Sequence, residues 1–209
     1  MPITPNTTLS PRNNPAGGRA HHAMSPPRQE ESTTVTDGIH GRRIRPDEGP
    51  LLRRLRLAAL ADSPAAFWQT LGAARTLPAA DWARRAEGGA DSPADLVALV
   101  ERAGEAVGMV QGFTPTGRPW LRELGAMWVT PAARGTGAAD VLLAAAVTWA
   151  AQAGAEAVKL WVAPANRPAR RLYTRTGFVV LGGPRPITDD PSVKTFVPML
   201  LPLHPPQRR

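Results

Sequence analysis

The chain contains one tyrosine, four histidines and no cysteine. Without cysteine there is no disulfide, no thiolate metal site and no thiol nucleophile. The histidines are His21, His22, His40 and His204, all at or beyond the margins of the segment patterned to fold. A Ser-His-Asp triad and a His-based metal centre therefore have no members in the core, and no metal is expected. Proton transfer is left to carboxylates, water and Tyr173, which stands in RRLYTRTGF at residues 170–178. A phenol of ordinary pKa, about 10, stays protonated at neutral pH and can serve as a general acid. A tyrosine on a helix can equally do no more than pack beneath Phe178.

A second stretch with chemistry in it is VTPAARGTGAADVLLAAAV, residues 129–147. It reads as a strand, a proline-containing turn, two glycines and a helix. Gly135 and Gly137 let backbone approach a ligand closely, and Ala138 and Ala139 add no bulk. Amides at a helix start lack intrahelical partners and carry partial positive charge, which suits a phosphate or pyrophosphate. Arg134 adds a formal charge. A nucleotide P-loop needs Lys-Ser/Thr where Ala138-Ala139 stand, and a dinucleotide fingerprint needs a small residue where Asp140 stands. Taken alone, the two glycines could serve turn geometry only.

The elements that must position these residues are legible in outline. RRIRP (42–46) predicts a short strand. Asp47 predicts a helix cap, with Pro50 in the first turn and a stripe of Leu51, Leu52, Leu55 and Leu60. SPAAFW (63–68) predicts a loop, and a second helix is expected from Pro78 to Gly88-Gly89. DLVALVER and EAVGMVQGF predict a hairpin across Ala103-Gly104, and WLRELGAMWV (120–129) a further strand. A long alanine-rich helix is expected over 137–153, then a strand at 157–162, a helix at 166–176, and strands at 178–181 and 194–203. Strands that first meander and then alternate with helices predict a mixed α/β fold with six or seven strands.

Residues 1–40 are rich in Pro, Ser, Thr and Gly and predict a disordered tail. The folded domain is expected over 41–204, with a short tail at 205–209. Half of the formal charge of +8 lies outside residues 44–203, which speaks against nucleic-acid binding by the core. The most apolar run, residues 141–155, is shorter than a membrane span and contains Thr and Gln. With no secretory signal at the N-terminus, a cytoplasmic protein without membrane attachment is expected.

Two motifs together resemble the GNAT superfamily of N-acetyltransferases. That family carries Gln/Arg-x-x-Gly-x-Gly/Ala after a strand ending in Val-x-Pro, matched by Arg134 to Ala139 behind Val129-Thr130-Pro131. Its Asn-x-x-Ala-x-x-Leu-Tyr-x-x-x-Gly-Phe motif is matched by Asn166, Ala169, Leu172, Tyr173, Gly177 and Phe178. The resemblance spans about residues 42–203. It implies a mostly antiparallel sheet with flanking helices and one splayed parallel strand pair. It also implies acetyl-CoA as co-substrate, with Arg134, Gly135, Thr136, Gly137, Ala138 and Ala139 on the pyrophosphate. Met127, Trp128 and Val129 would pair with the pantetheine arm, and Asn166 would bond to it. Tyr173 would protonate the leaving thiolate.

Glu123 is then the best base for the attacking amine, since several relatives keep a catalytic Glu at that place. Strand alternation puts Glu123, Gly125, Met127 and Val129 on one face. The plain alternative is a half-exposed strand Glu paired with Arg122 or Arg118. Arg167, Arg170, Arg171 and Arg175 line the motif helix, mostly as a solvated basic face. The acceptor, a small-molecule or peptide amine, would meet Phe67, Trp68 and the loop with Asp189-Asp190. A homodimer is ordinary for the family. The rival readings are a non-catalytic acyl-CoA-binding or regulatory module and a basic nucleic-acid adaptor.

Overall fold

A computed structural model describes residues 33–36, 38–187 and 194–203. One nine-stranded sheet organises them. Its strands are β1 (Thr33–Thr36), β2 (Ile39–Arg43), β3 (Asp95–Arg102), β4 (Glu105–Phe113), β5 (Leu121–Val129), β6 (Ala157–Val162), β7 (Val179–Val180), β8 (Arg185–Pro186) and β9 (Thr195–Pro202). The order is β1-β2-β3-β4-β5-β6-β9-β7, with β8 also on β9. Strands β5 and β6 run parallel and every other described pair is antiparallel. The helices are α1 (Gly49–Asp62), α2 (Leu71–Arg75), α3 (Ala79–Asp91), α4 (Ala138–Gln152) and α5 (Arg167–Arg175).

Period-two alternation gives the central strands two buried faces. Leu96, Ala98, Val100 and Val110 pack with α4 and α5. Val97, Leu99 and Met109 pack with α1, α2 and α3 through Leu52, Leu55, Ala74, Trp82 and Ala86. The site lies where this layering is interrupted, at the parallel pair. There the ladder links Leu121 to Ala157, Arg122 to Val158, Glu123 to Lys159 and Leu124 to Leu160, and then stops. Beyond it the two strands diverge.

Several boundaries differ from expectation. Strand pairing begins upstream of residue 41, and the strand expected at 42–46 is β2, ending at Arg43. Its core anchor is Ile39, 1 % exposed. The cap of α1 is Glu48 rather than Asp47, and its side chain makes no capping bond. Its carboxylate instead accepts two hydrogen bonds from Arg42, at 2.7 and 2.8 Å. Helix α3 passes through Gly88-Gly89 to Asp91. A Cβ on Gly89 would lie 2.4 Å from Val97 Cγ2, so that glycine serves close packing on β3 rather than termination. Arg43 supplies the stop by donating to the carbonyls of Gly89, Ser92 and Asp95. Helix α2 and strands β1 and β8 are additional to the expected set.

Candidate active site

A cleft of about 490 Å³ opens between the N-terminal end of α4, α5 and the outer half of β5. It continues inward to a cavity of about 70 Å³ between the diverging strands, walled by Leu124, Gly125, Leu160 and Trp161. Ala66, Phe67, Met127, Asn166, Ala169 and Tyr173 line both spaces.

The divergence has a local cause. Gln111 faces Gly125 but Met109 faces Trp128, so β5 carries one extra residue there, a β-bulge. Ala126 takes a left-handed φ of 53° to accommodate it, a conformation that costs a non-glycine residue energy and concentrates at functional sites. The bulge also reverses the alternation. Leu124, Met127 and Val129 pack on the α4–α5 side, whereas Ala126 and Trp128 pack on the α1–α3 side. The expectation that Glu123, Gly125, Met127 and Val129 share a face is therefore corrected. Glu123 and Gly125 precede the bulge and project opposite to Met127 and Val129.

At the cleft's outer end the glycine loop forms as expected. Gly135 and Gly137 adopt φ of 77° and 89°, open to glycine at little cost. Gly137 is the cap residue of α4 and makes no side-chain capping bond. Among the described residues, the amides of Gly135, Thr136, Gly137, Ala138 and Ala139 donate to no acceptor. Thr136 closes the turn through its hydroxyl, which donates to the Ala133 carbonyl at 2.7 Å. Arg134 is not the free cation the sequence suggests. Its guanidinium donates to Asp62 at the end of α1 and to the Val129 carbonyl. Asp62 also accepts from the Ser63 hydroxyl at 2.7 Å and the Trp128 indole at 2.9 Å. These donors, the Ser63 hydroxyl foremost, hold its carboxyl below the usual range. Asp140 is paired with Arg175.

At the inner end, Tyr173 is buried and its hydroxyl donates to Met127 Sδ at 3.5 Å. Burial pushes its pKa up to about 12. The ring leans on Phe178, centroids 5.7 Å apart. Asn166 caps α5 by accepting from the Ala169 amide at 3.2 Å, which commits its oxygen and turns the side chain toward the cleft it lines.

Glu123 lies outside the lining of both spaces. It accepts from the Trp161 indole at 3.0 Å and from Lys159 at 3.3 Å. Neither Arg122 nor Arg118 is the partner. Arg122 turns to the other face, where it donates to the Pro119, Leu121 and Ala153 carbonyls and lies over Trp149. Phe67 is 7 % exposed and forms a wall, whereas Trp68 is 64 % exposed. Asp189 and Asp190 lie outside the described residues.

Several site residues were not anticipated. Asp62 and Lys194 carry no local signal, since their partners are far away in sequence. Lys194 donates to the carbonyls of Pro64 and Phe67 and so pins the wall loop to β9. Lys159 and Trp161 could have been found from alternation in AVKLWV, because Val158, Leu160 and Val162 take the opposite, α4–α5 face.

The sequence model of the acetyltransferase (GNAT) family matches residues 57–178, more than half of the chain. The chain belongs to the GNAT family.

Solved structures agree on the fold. A GNAT-family acetyltransferase from Streptococcus pneumoniae superposes with a TM-score of 0.64 at 19 % identity, over 79 % of this chain and 99 % of that one. The acetyltransferase yncA from Salmonella typhimurium, solved with its cofactor acetyl-CoA, gives 0.65 at 20 %, over 79 % and 94 %. The GNAT domain of S. lividans PAT gives 0.65 at 20 %, over 86 % and 100 %. No curated protein sequence matches the chain. The divergent parallel pair and the glycine loop at the start of α4 are thus elements of a GNAT fold. Among the described residues no helix is long and apolar enough to cross a membrane.

Proposed function

We propose that this GNAT protein transfers the acetyl group of acetyl-CoA to a primary amine by direct attack in a ternary complex. The observation that carries the reading is one continuous cleft with unpaired amides at one end and a buried, protonated phenol at the other. The amides of residues 135–139 offer aligned donors to a diphosphate, assisted by the helix dipole of α4. The β5 edge at Met127, Trp128 and Val129 no longer pairs with β6 and is available to an extended amide-bearing arm. Asn166 has its amide N–H groups to offer the same arm.

The amine nitrogen attacks the thioester carbonyl, and the C–S bond breaks as the tetrahedral adduct collapses. The sulfur takes its proton from the Tyr173 hydroxyl, which exchanges its weak Met127 acceptor for the departing thiolate. Glu123 receives the proton lost by nitrogen through water, since its carboxylate does not itself reach the lining, and the same water route returns that proton to the Tyr173 phenolate once the thiol has left. The chain has no cysteine, so an acyl-cysteine intermediate is closed.

Calorimetry with acetyl-CoA, followed by thiol release against a panel of amines, tests the reading. Tyr173→Phe should lower kcat by about a hundredfold or more and leave acetyl-CoA affinity nearly unchanged. An unchanged kcat would remove the phenol from the mechanism. Acetyl-CoA binding without turnover on any amine would indicate an acyl-CoA-binding module.

A further inference from the structure

Glycine inside a strand weakens it, and its usual reasons there are a bend in the backbone, a closely packed neighbour or the approach of a ligand. For Gly41, Gly108 and Gly112 the reason is packing, since an added Cβ would lie 2.8 Å from Val141, 2.7 Å from the Trp128 carbonyl and 2.6 Å from Trp149. Gly125 on β5 has no such neighbour. Its φ lies outside the left-handed region, which at this bulge falls to Ala126. Among the described residues, a Cβ on Gly125 would meet nothing within 4 Å. What Gly125 does border is the inner cavity.

Gly125 lines that cavity and not the outer cleft, and it is exposed. The cavity therefore has an approach of its own, on the face of β5 opposite to Met127 and Val129. Tyr173 and Met127 line both spaces. On the acetyltransferase reading the thioester sulfur lies at that junction, the cofactor arm fills the cleft, and the amine comes in over Gly125. Glu123 stands two residues earlier on the same face, so the water that carries the amine's proton crosses bare backbone to reach it.

The walls of this approach are fixed from behind. Phe67 is buried; its carbonyl accepts from Lys194 at 3.2 Å, and Arg56 lies 4.6 Å from its ring centroid. Trp161 is tied to Glu123 through its indole at 3.0 Å. A cavity of about 70 Å³ amounts to little more than two water molecules, each with a share of about 30 Å³. It takes an amine nitrogen and the methylene that carries it. A further methyl on that carbon must displace a wall.

We infer that the inner cavity is a size filter for the acceptor, admitting a primary amine on an unbranched methylene carbon and rejecting one on a substituted carbon, with Gly125 and Phe67 setting the limit. The inference rests on the acetyltransferase reading and narrows its acceptor.

Thiol release from acetyl-CoA would be measured with isomeric pairs, propylamine against 2-aminopropane and butylamine against 2-aminobutane. The unbranched member of each pair should show kcat/KM about tenfold or more above its isomer, the discrimination that one methyl produces in a confined pocket. Phe67→Leu should reduce that ratio, whereas Gly125→Ala should lower kcat/KM for the unbranched amines by about tenfold. The Kd for acetyl-CoA, read by calorimetry, reports that each variant is folded. A merely structural role would not relax selectivity in one variant and tighten the pocket in the other. Equal or faster acetylation of the branched isomers would overturn the inference. So would a ratio unmoved by Phe67→Leu, or unbranched turnover unmoved by Gly125→Ala. A Gly125→Ala loss seen with propionyl-CoA and not with acetyl-CoA would also overturn it, since the acyl group would then occupy the cavity. Absence of acetyl-CoA binding, or binding with no amine acetylated, would overturn the acetyltransferase reading, and this inference with it.

Discussion

At the scale of single residues, Asp62 shows how the folded site departs from its motif. The motif places an arginine ahead of the glycines, and charge alone suggests that it meets phosphate. In the structure that arginine already has a carboxylate, which also holds the Trp128 indole and the Ser63 hydroxyl. On the proposed reading, a diphosphate that recruits Arg134 draws it away from Asp62 and approaches a negative charge while doing so. Asp62→Asn should therefore tighten coenzyme A binding. One unit charge at about 4 Å in a water-like dielectric is worth roughly 1 kcal/mol, or on the order of fivefold in Kd. The same substitution removes an ion pair and should lower thermal stability. Calorimetry and a melting curve on one variant would read both changes, and weaker binding would show that Asp62 orients Arg134 for the phosphate instead.

At the scale of elements, close approach explains what composition cannot. Gly89 lies where α3 presses on β3, and its absent Cβ would meet Val97 at 2.4 Å. Gly89→Ala should destabilise by about 1–3 kcal/mol, the usual cost of overpacking, with a parallel fall in the urea midpoint. The cleft is remote from this contact, so acetyl-CoA affinity of the folded fraction should hold. This glycine also shows the limit of reading elements from sequence. A Gly-Gly pair after a helical stripe predicts an end, because locally glycine favours termination; a tertiary contact overrides it. The long strands and helices were legible, since DLVALVER, AVKLWV and the alanine-rich run carry their period in adjacent residues. The glycine loop and Tyr173 were legible for the same reason, each being a local motif. The bulge at Ala126 was not. Nothing in LGAMWV marks an extra residue, and one such residue sends Glu123 and Met127 to opposite faces. The partners of Glu123 were hidden too, because Lys159 and Trp161 lie on a neighbouring strand whose register only the fold sets.

At the scale of the whole molecule, two groups on different sides of the sheet bound the pH range of stability. Glu48 joins α1 to β2 through Arg42, which also holds Glu101 on β3. Its bonds to Arg42, ahead of all other causes, lower its pKa to about 2 from 4.5. A carboxyl depressed in the folded state stabilises fully above its unfolded pKa and loses that contribution as pH falls through the folded value. Stability should thus decline from about pH 4.5 toward pH 2. Tyr173 acts at the other end. Burial raises its pKa from 10.0 to about 12, so its contribution is complete below pH 10 and is lost as pH climbs through about 12. Unfolding midpoints in urea, measured across pH, should then trace a plateau with two falling limbs. Glu48→Gln should lower the plateau by roughly 2 kcal/mol, the worth of charge-assisted hydrogen bonds, and flatten the acid limb. Tyr173→Phe should flatten the alkaline limb and leave the acid one intact. The proposed mechanism predicts the same signature in catalysis, because a phenol that ionises only near pH 12 remains a proton donor throughout the range in which amines become neutral. The rate should therefore rise with pH and show no alkaline fall near pH 10, where an exposed tyrosine would lose its proton. A fall there would mean that the group protonating the thiolate is not the buried Tyr173.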